Sequence, residues 1–276
     1  MSRSAAAWLC AAALLLAAAC PRRAAAQRYP PQARRYLLTT DAVDERAAWV
    51  NPAGLARSAL ATIGADLAVG DLGGNLHVSQ YGASLLSGSL AAGWEHDRDP
   101  GGPRNTYVLA TGFGDDFLSL GVAHRWHEGG QGAWDLALRG RATPLLDLSV
   151  VWRSIGSPVL ADSTIERAVV VPAAGIRLWG GRFTAGIEAD VAQTLGTVRE
   201  VRGGATLSLA PFLAMTIRGK SGNGAADPRA IAVAIEIRGQ RARGTFAGLV
   251  PAGAGGLETL AASGALISPP AGRRRR

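Results

Sequence analysis

From residue 58 onward, large apolar residues alternate with small or charged ones along most of the chain. In Leu118-Ser119-Leu120-Gly121-Val122-Ala123-His124-Arg125-Trp126 the even positions are mostly large and apolar and the odd ones small or charged. The phase returns in Trp134–Arg139 and Leu146–Arg153, and the alternation continues in Phe183–Val191, Val201–Leu209, Leu213–Ile217 and Ile231–Ile237. Successive side chains on a strand point to opposite faces, so each stretch has one apolar face and one small or polar face. The pattern predicts strands near 58–69, 75–86, 89–96, 105–113, 117–126, 132–141, 145–153, 167–178, 182–192, 199–209, 212–219, 230–238, 243–250 and 257–267. The abundance of glycine and the lack of a long helical pattern suit many short strands joined by turns.

The connections carry a second pattern. Gly70–Gly74 is followed by the tight Ser87-Gly88, Asp97–Arg104 by Gly114–Asp116, and His127–Gln131 by Ala142–Pro144. Ser154–Glu166 is followed by Gly180-Gly181, Gln193–Val198 by Ala210-Pro211, and Lys220–Arg229 by Gly239–Ala242. Longer and shorter connections alternate, which in an up-and-down barrel gathers the long loops at one end, as in bacterial outer-membrane barrels. A soluble sandwich would share the residue alternation but not this one. The expectation is an all-β, up-and-down antiparallel transmembrane β-barrel of about 14 strands, with about 12 also open, and strands of roughly 9–11 residues. Trp126, Trp134 and Trp152 fall at the long-loop end in the apolar phase, like an aromatic girdle at a membrane boundary; three buried core tryptophans are the alternative.

The chain opens Met1-Ser2-Arg3 and is then almost purely apolar from Ala5 to Ala19, the layout of a secretory signal and shorter than the roughly 20 residues of a spanning helix. Ala24 and Ala26 form an A-x-A cleavage pattern that leaves Gln27 first. Lipidation at Cys20 is the rival reading; Ala17-Ala18-Ala19 precede it and Pro21 follows. Cys10 and Cys20 are both lost on cleavage, which excludes a disulfide framework. Removing Arg3, Arg22 and Arg23 from a formal charge of +8 leaves +5, part of it in Arg273–Arg276. That run reads as a solvated end, and no nucleic-acid partner is expected. The expected organisation is a signal peptide at 1–26, an N-terminal periplasmic or plug segment at 27–57, a barrel at 58–268 and a basic tail at 269–276.

Before the first strand stands Ala47-Ala48-Trp49-Val50-Asn51-Pro52-Ala53-Gly54-Leu55-Ala56. This segment resembles the N-terminal motif of the FadL family of hydrophobic-compound transporters, and equally that of the PorV-type outer-membrane proteins of secretion systems. Gly140–Ser149, followed by Arg153–Pro158, also resembles a strand–turn–strand of these barrels. The resemblance implies a fourteen-stranded barrel with an N-terminal plug anchored by Asn51, Pro52 and Ala53, with Gly54 completing the motif. A plain turn reads the same residues, since Pro52 fixes φ and Gly54 tolerates unusual dihedrals. Such barrels usually end on a strand with a terminal aromatic, whereas this chain ends Pro269-Pro270-Ala271-Gly272 and four arginines.

If the apolar phase faces lipid, the other phase gives the lumen its charges: Arg125, Asp135, Arg139, Arg141, Asp147 and Arg153, joined by Arg177, Glu188, Asp190, Arg202, Arg218, Glu236 and Arg238. Arg125 is expected near Asp135 and Arg141 opposite Asp147. Cross-strand pairs of this kind stabilise a sheet by roughly 0.2–1 kcal/mol each. The set reads as a ladder of ion pairs filling a narrow lumen, or as a selective pore with a net-positive wall. Nothing points to catalysis, a cofactor or a metal. His124 and His127 point to opposite faces, Gly219-Lys220-Ser221 lacks the earlier glycine of a phosphate loop, and Asp115-Asp116 sits in a turn. Expected partners are outer-membrane lipid, the outer-membrane assembly machinery, and small-molecule cargo or a secretion partner. Three functions stay open: transport of small molecules, hydrophobic ones among them; a non-conducting scaffold for secretion or envelope partners; and a periplasmic β-rich binding module.

Overall fold

The computed structural model describes residues 33–268, apart from 59, 73, 100–101, 161–164, 194–195, 223–229 and 252–256. The expected signal peptide at 1–26, the Gln27 and Cys20 readings and the tail at 269–276 lie outside the described residues. Fourteen strands follow one another: β1 (Ala61–Gly70), β2 (His77–Ser87), β3 (Leu90–Asp99), β4 (Gly102–Gly114), β5 (Leu118–His127), β6 (Gly132–Thr143) and β7 (Leu146–Ile155). The second half is β8 (Val169–Leu178), β9 (Phe183–Ala192), β10 (Val198–Ala210), β11 (Leu213–Gly222), β12 (Ala230–Arg238), β13 (Ala242–Pro251) and β14 (Thr259–Ser268). Each pairs antiparallel with its sequence neighbours and β1 pairs with β14, so the sheet is a closed up-and-down barrel.

The period-two pattern sets the register. Leu136 lies opposite Trp152 and Leu138 opposite Val150 on one face, while Arg139 opposes Ser149 and Arg141 opposes Asp147 on the other. A slip of one residue would move every charge to the apolar face, so the pattern itself selects the pairing. Leu109, Leu120, Leu136, Leu138, Ile217, Ile231, Val233 and Ile235 are exposed on the outside, and Arg125, Asp135, Arg139, Asp147, Arg153, Glu188 and Arg202 are buried inside.

The loop asymmetry is present with one correction. The stretch 97–104, read as a long connection, is mostly strand: β3 runs to Asp99 and β4 starts at Gly102. Asp97 and Arg104 are register partners, with a salt bridge of 3.6 Å between their side chains. Turn-like residues are there drawn into the sheet by pairing that a local reading does not see.

Two rows of aromatic side chains rim the outer face. Trp126 (39% exposed), Trp134 (51%) and Trp152 (36%) lie outward at the long-loop end, which settles against the buried-core alternative. At the short-turn end Phe113, Phe117, Trp179 and Phe212 are exposed, a second row that the alternation alone did not single out.

Inside the ring lies the N-terminal segment. It has one helical turn at Ala33–Tyr36, another at Ala47–Val50 and a 3-10 helix at Pro52–Arg57. Turns this short are unstable alone in water, so their shape comes from the wall around them. Ala42, Ala47, Ala48, Trp49, Val50 and Leu55 form one buried cluster with Leu86, Ala91, Val108, Ala110 and Ala123 of β2 to β5.

Candidate functional site: the filled lumen

The segment folds on itself before it meets the wall. The Asn51 side chain accepts from the Ala53 amide at 3.1 Å and donates to the Thr39 carbonyl at 2.8 Å. It thereby caps the 3-10 helix and ties together two arms of the chain twelve residues apart in sequence. Pro52 stands at the first turn, where no amide hydrogen is needed. Gly54 lies against the Ala42 carbonyl, leaving no space for a Cβ. All four motif residues are buried.

One side of the lumen meets this segment through shape. Gly112 and Gly121 are cross-strand partners on β4 and β5. A Cβ on Gly112 would come within 2.8 Å of the Pro52 carbonyl oxygen, and one on Gly121 would overlap the backbone of Pro52 and Ala53. On β3, a Cβ on Gly93 would meet the Trp49 indole at 2.7 Å. A second glycine pair, Gly175 and Gly186 on β8 and β9, lies beneath Thr40 and Leu38. Glycine inside a strand marks a place where other chain atoms come close, backbone at Gly112 and Gly121 and side chains at the others, and these glycines trace the footprint of the segment.

The other side meets it through charge. Arg218 of β11 pairs with Asp41, and Arg243 of β13 pairs with Asp44 at 2.5 Å and with Glu45. Arg46 bonds Asp44 at 2.6 Å and Glu236 of β12 at 3.2 Å. Arg34 reaches Asp190 of β9 at 3.1 Å, while Arg202 of β10 holds Asp190 at 2.6 Å and Glu188 at 3.1 Å. Glu188 in turn accepts from the Thr39 amide at 2.7 Å. Burial alone would raise the Asp44 pKa, but Arg46 and then Arg243 outweigh it and hold the carboxyl below the usual range. Asp41 and Glu45 go the other way. Burial raises both, the Asp44 charge adds to the rise at Glu45, and their arginines only partly offset it.

Among the lumen residues singled out from sequence, Glu188, Asp190, Arg218 and Glu236 thus meet the segment through charge, and Arg139 and Arg153 meet it through its carbonyls. Arg139 donates to the Thr40 carbonyl at 2.5 Å and the Ala42 carbonyl at 3.1 Å. Arg153 donates to the Val50 carbonyl at 2.5 Å. Both satisfy carbonyl groups that turns this short leave without backbone partners. Arg141 and Asp147 pair at 3.4 Å, with Arg177 on the same carboxylate at 2.5 Å and Arg139 at 3.8 Å. Arg125 grips Asp135 through two bonds of 3.1 and 3.0 Å. It also meets Glu166, from the loop after β7, at 3.2 Å. His127 faces inward to Glu166 and Thr106, whereas His124 lies on the outer face among indole rings. Asp115 caps its turn by accepting from the amides of Phe117 and Leu118, and Lys220 sits on β11 beside Glu200. The acids and arginine of Asp41–Arg46 escaped the sequence reading. Their signal was a charged run just before an apolar one, outside any strand.

No family model and no curated protein matches the chain in sequence. Solved outer-membrane barrels share its fold, two of them among those most similar. The outer membrane protein Omp33 of Acinetobacter baumannii aligns over 76% of this chain and 98% of its own, with 8% identity and a TM-score of 0.55. The CymD monoaromatic hydrocarbon channel aligns over 82% of this chain and 92% of its own, with 10% identity and a TM-score of 0.51. The likeness is one of fold. It leaves the FadL and PorV resemblance resting on the Asn51–Gly54 motif and the Gly140–Ser149 and Arg153–Pro158 stretches.

Proposed function

We propose that the protein is an outer-membrane barrel that passes small molecules through its lumen, with the N-terminal segment as a plug that closes the path. The observation that carries this is a closed barrel, apolar outside between two aromatic rims and polar inside. Nine residue steps lead from Phe117 to Trp126. At about 3.3 Å per residue and a strand tilt of roughly 40°, that is about 23 Å of height, close to the ~25 Å apolar band of such barrels. An exposed apolar face of this extent belongs in lipid and not in water. The fold likeness to a hydrocarbon channel supports passage as the general task. The charged lining favours polar cargo over a greasy route, and catalysis has no part in the reading. A second reading, the non-conducting scaffold, is favoured by the buried packing of the segment against β2 to β5 and its ion pairs with β9 and β11 to β13.

Planar-bilayer recording separates the two. A gated channel gives discrete openings that lengthen in Arg243→Gln, where the plug is less firmly held. Silence from both proteins, in membranes whose barrels shift on a detergent gel after boiling, would favour the scaffold. A protein recovered soluble and without that shift would overturn the membrane reading and leave the periplasmic binding module.

A further inference from the structure

The outer face is uneven. At the long-loop rim, β2 to β6 carry rings in contact with one another. Tyr107 and Trp126 stack at 6.1 Å, Trp126 and His124 at 5.3 Å, and His124 and Trp134 lie 4.4 Å apart. Gly132 makes the place for His124: a Cβ there would meet the imidazole at 2.7 Å. The His124 Nδ1 atom is buried and has no hydrogen-bond partner. Next to this row is a polar string. Trp94 Nε1 donates to Asn105 Oδ1 at 3.0 Å, His96 Nδ1 bonds the same oxygen at 2.9 Å, and Asn105 Nδ2 donates to Glu128. Tyr81 packs on His96 at 4.8 Å and edge-on to Trp94 at 5.6 Å. Tyr107 joins the two sets, as the register partner of both Trp94 and Trp126. Below them Leu109, Leu120 and Leu136 continue the exposed apolar face.

Resting on the membrane reading above, we propose that this patch binds a glycolipid through its pyranose headgroup. The electron-rich faces of a ring row attract the polarised C–H groups on one side of a sugar ring. Neighbouring carboxylate, amide, imidazole and phenol groups are the partners that sugar hydroxyls require. The leucines below offer a bed for acyl chains in the same molecule. An ordinary aromatic girdle needs rings near the interface, but it needs neither a contiguous row nor a bonded string of Asn105, His96 and Glu128 beside it. The rim at the other end provides the contrast: Trp179 and Phe183 form a ring pair there, 5.6 Å apart.

The test is native mass spectrometry of the full chain released from nanodiscs that contain equal amounts of a diglycosyl diacylglycerol and a phosphatidylglycerol with the same acyl chains. The intact protein should retain the glycolipid about tenfold over the phospholipid. The paired change Trp126→Leu and Trp134→Leu keeps the surface apolar and should abolish that preference, as should Asn105→Ala with Glu128→Gln. Trp179→Leu at the opposite rim should leave it intact. Equal retention of both lipids by the intact barrel would overturn the proposal and reduce the patch to a general interface anchor. So would an equal loss in Trp179→Leu. A protein with no boiling shift and no bound lipid would instead be failing the membrane reading.

Discussion

The two sides of the lumen hold the N-terminal segment by different physics. On β3 to β5 the contact is close-packed and apolar, with Gly112 and Gly121 against backbone and Gly93 against the Trp49 indole. On β11 to β13 the contact is a set of ion pairs, Arg218 with Asp41, Arg243 with Asp44 and Glu45, and Glu236 with Arg46. A close-packed contact is lost all at once when volume is added, because interiors have no slack to absorb it. An ion pair gives way gradually with pH, salt or water. The segment is therefore expected to be pinned at the first wall and released from the second.

The sharpest way to break this contrast is to add volume at the first wall. Gly121→Val cannot coexist with Pro52 and Ala53 where they stand, and overpacking of this kind costs about 3 kcal/mol. The expected outcome is a barrel that still shifts on a gel but conducts continuously in planar bilayers. Gly219→Val on β11, where a Cβ meets nothing within 4 Å, should leave the recording unchanged. If Gly121→Val stays closed, the glycine footprint does not pin the segment.

Arg139 comes next because it sits between the two walls and is fully buried. Arg139→Met removes both donors to the Thr40 and Ala42 carbonyls and leaves two buried acceptors unsatisfied, a cost of about 2–3 kcal/mol. Asp147 keeps Arg141 and Arg177, so the barrel itself should hold. The expected result is a lower urea midpoint for segment release, read as the onset of conductance, with little change in the temperature of the gel shift.

How much of this was legible in the sequence follows from the range of the forces involved. Alternation is local, so Leu118–Trp126 and Leu146–Arg153 could be read directly, as could the inward face of Arg139 and Asp147. Loop lengths are local too, and they carried the barrel topology. The glycine pairs were not legible, because Gly112 and Gly121 look like ordinary small residues on the polar phase until another backbone is known to lie over them. The partners of Asp41, Asp44 and Glu45 are equally non-local: Arg243 is about two hundred residues away from two of them. The stretch 97–104 failed for the same reason, since its extension into strand depends on Asp97 meeting Arg104 across the sheet.

At the second wall the effect should be smaller and dependent on pH. The depressed Asp44 pKa stabilises the docked segment above the ordinary carboxylate pKa of about 4, and that stabilisation is lost as pH falls through the folded value. Asp41 and Glu45 have raised values, so they oppose docking at neutral pH, and lowering the pH through those values relieves the cost. Open probability should therefore fall as pH drops through the raised values of Asp41 and Glu45, and rise again below about 4 as Asp44 loses its share. Arg243→Gln removes one of the two arginines on Asp44 and should shift the acid-side rise to higher pH. A flat profile would place the release step elsewhere.

The smallest effect tests whether charge as such, or charge on the segment, controls passage. Glu166 comes from the loop after β7 and touches no residue of the segment in any hydrogen bond or ion pair described above. Its partners are Arg125 at 3.2 Å, Ser154 at 2.6 Å and His127 at 3.2 Å. Burial alone would raise its pKa, but Arg125 and then the bonds from His127 and Ser154 hold it below the usual range. Glu166→Gln keeps an oxygen for Ser154 and leaves Arg125 on Asp135 through both of its bonds. Because the side chain is partly open to solvent, the loss should stay below about 1 kcal/mol and the closed state should persist. If Glu166→Gln instead opens the barrel as readily as Arg243→Gln, the long-loop mouth controls passage, and the contrast between the two walls describes how the segment is held but not how it is released.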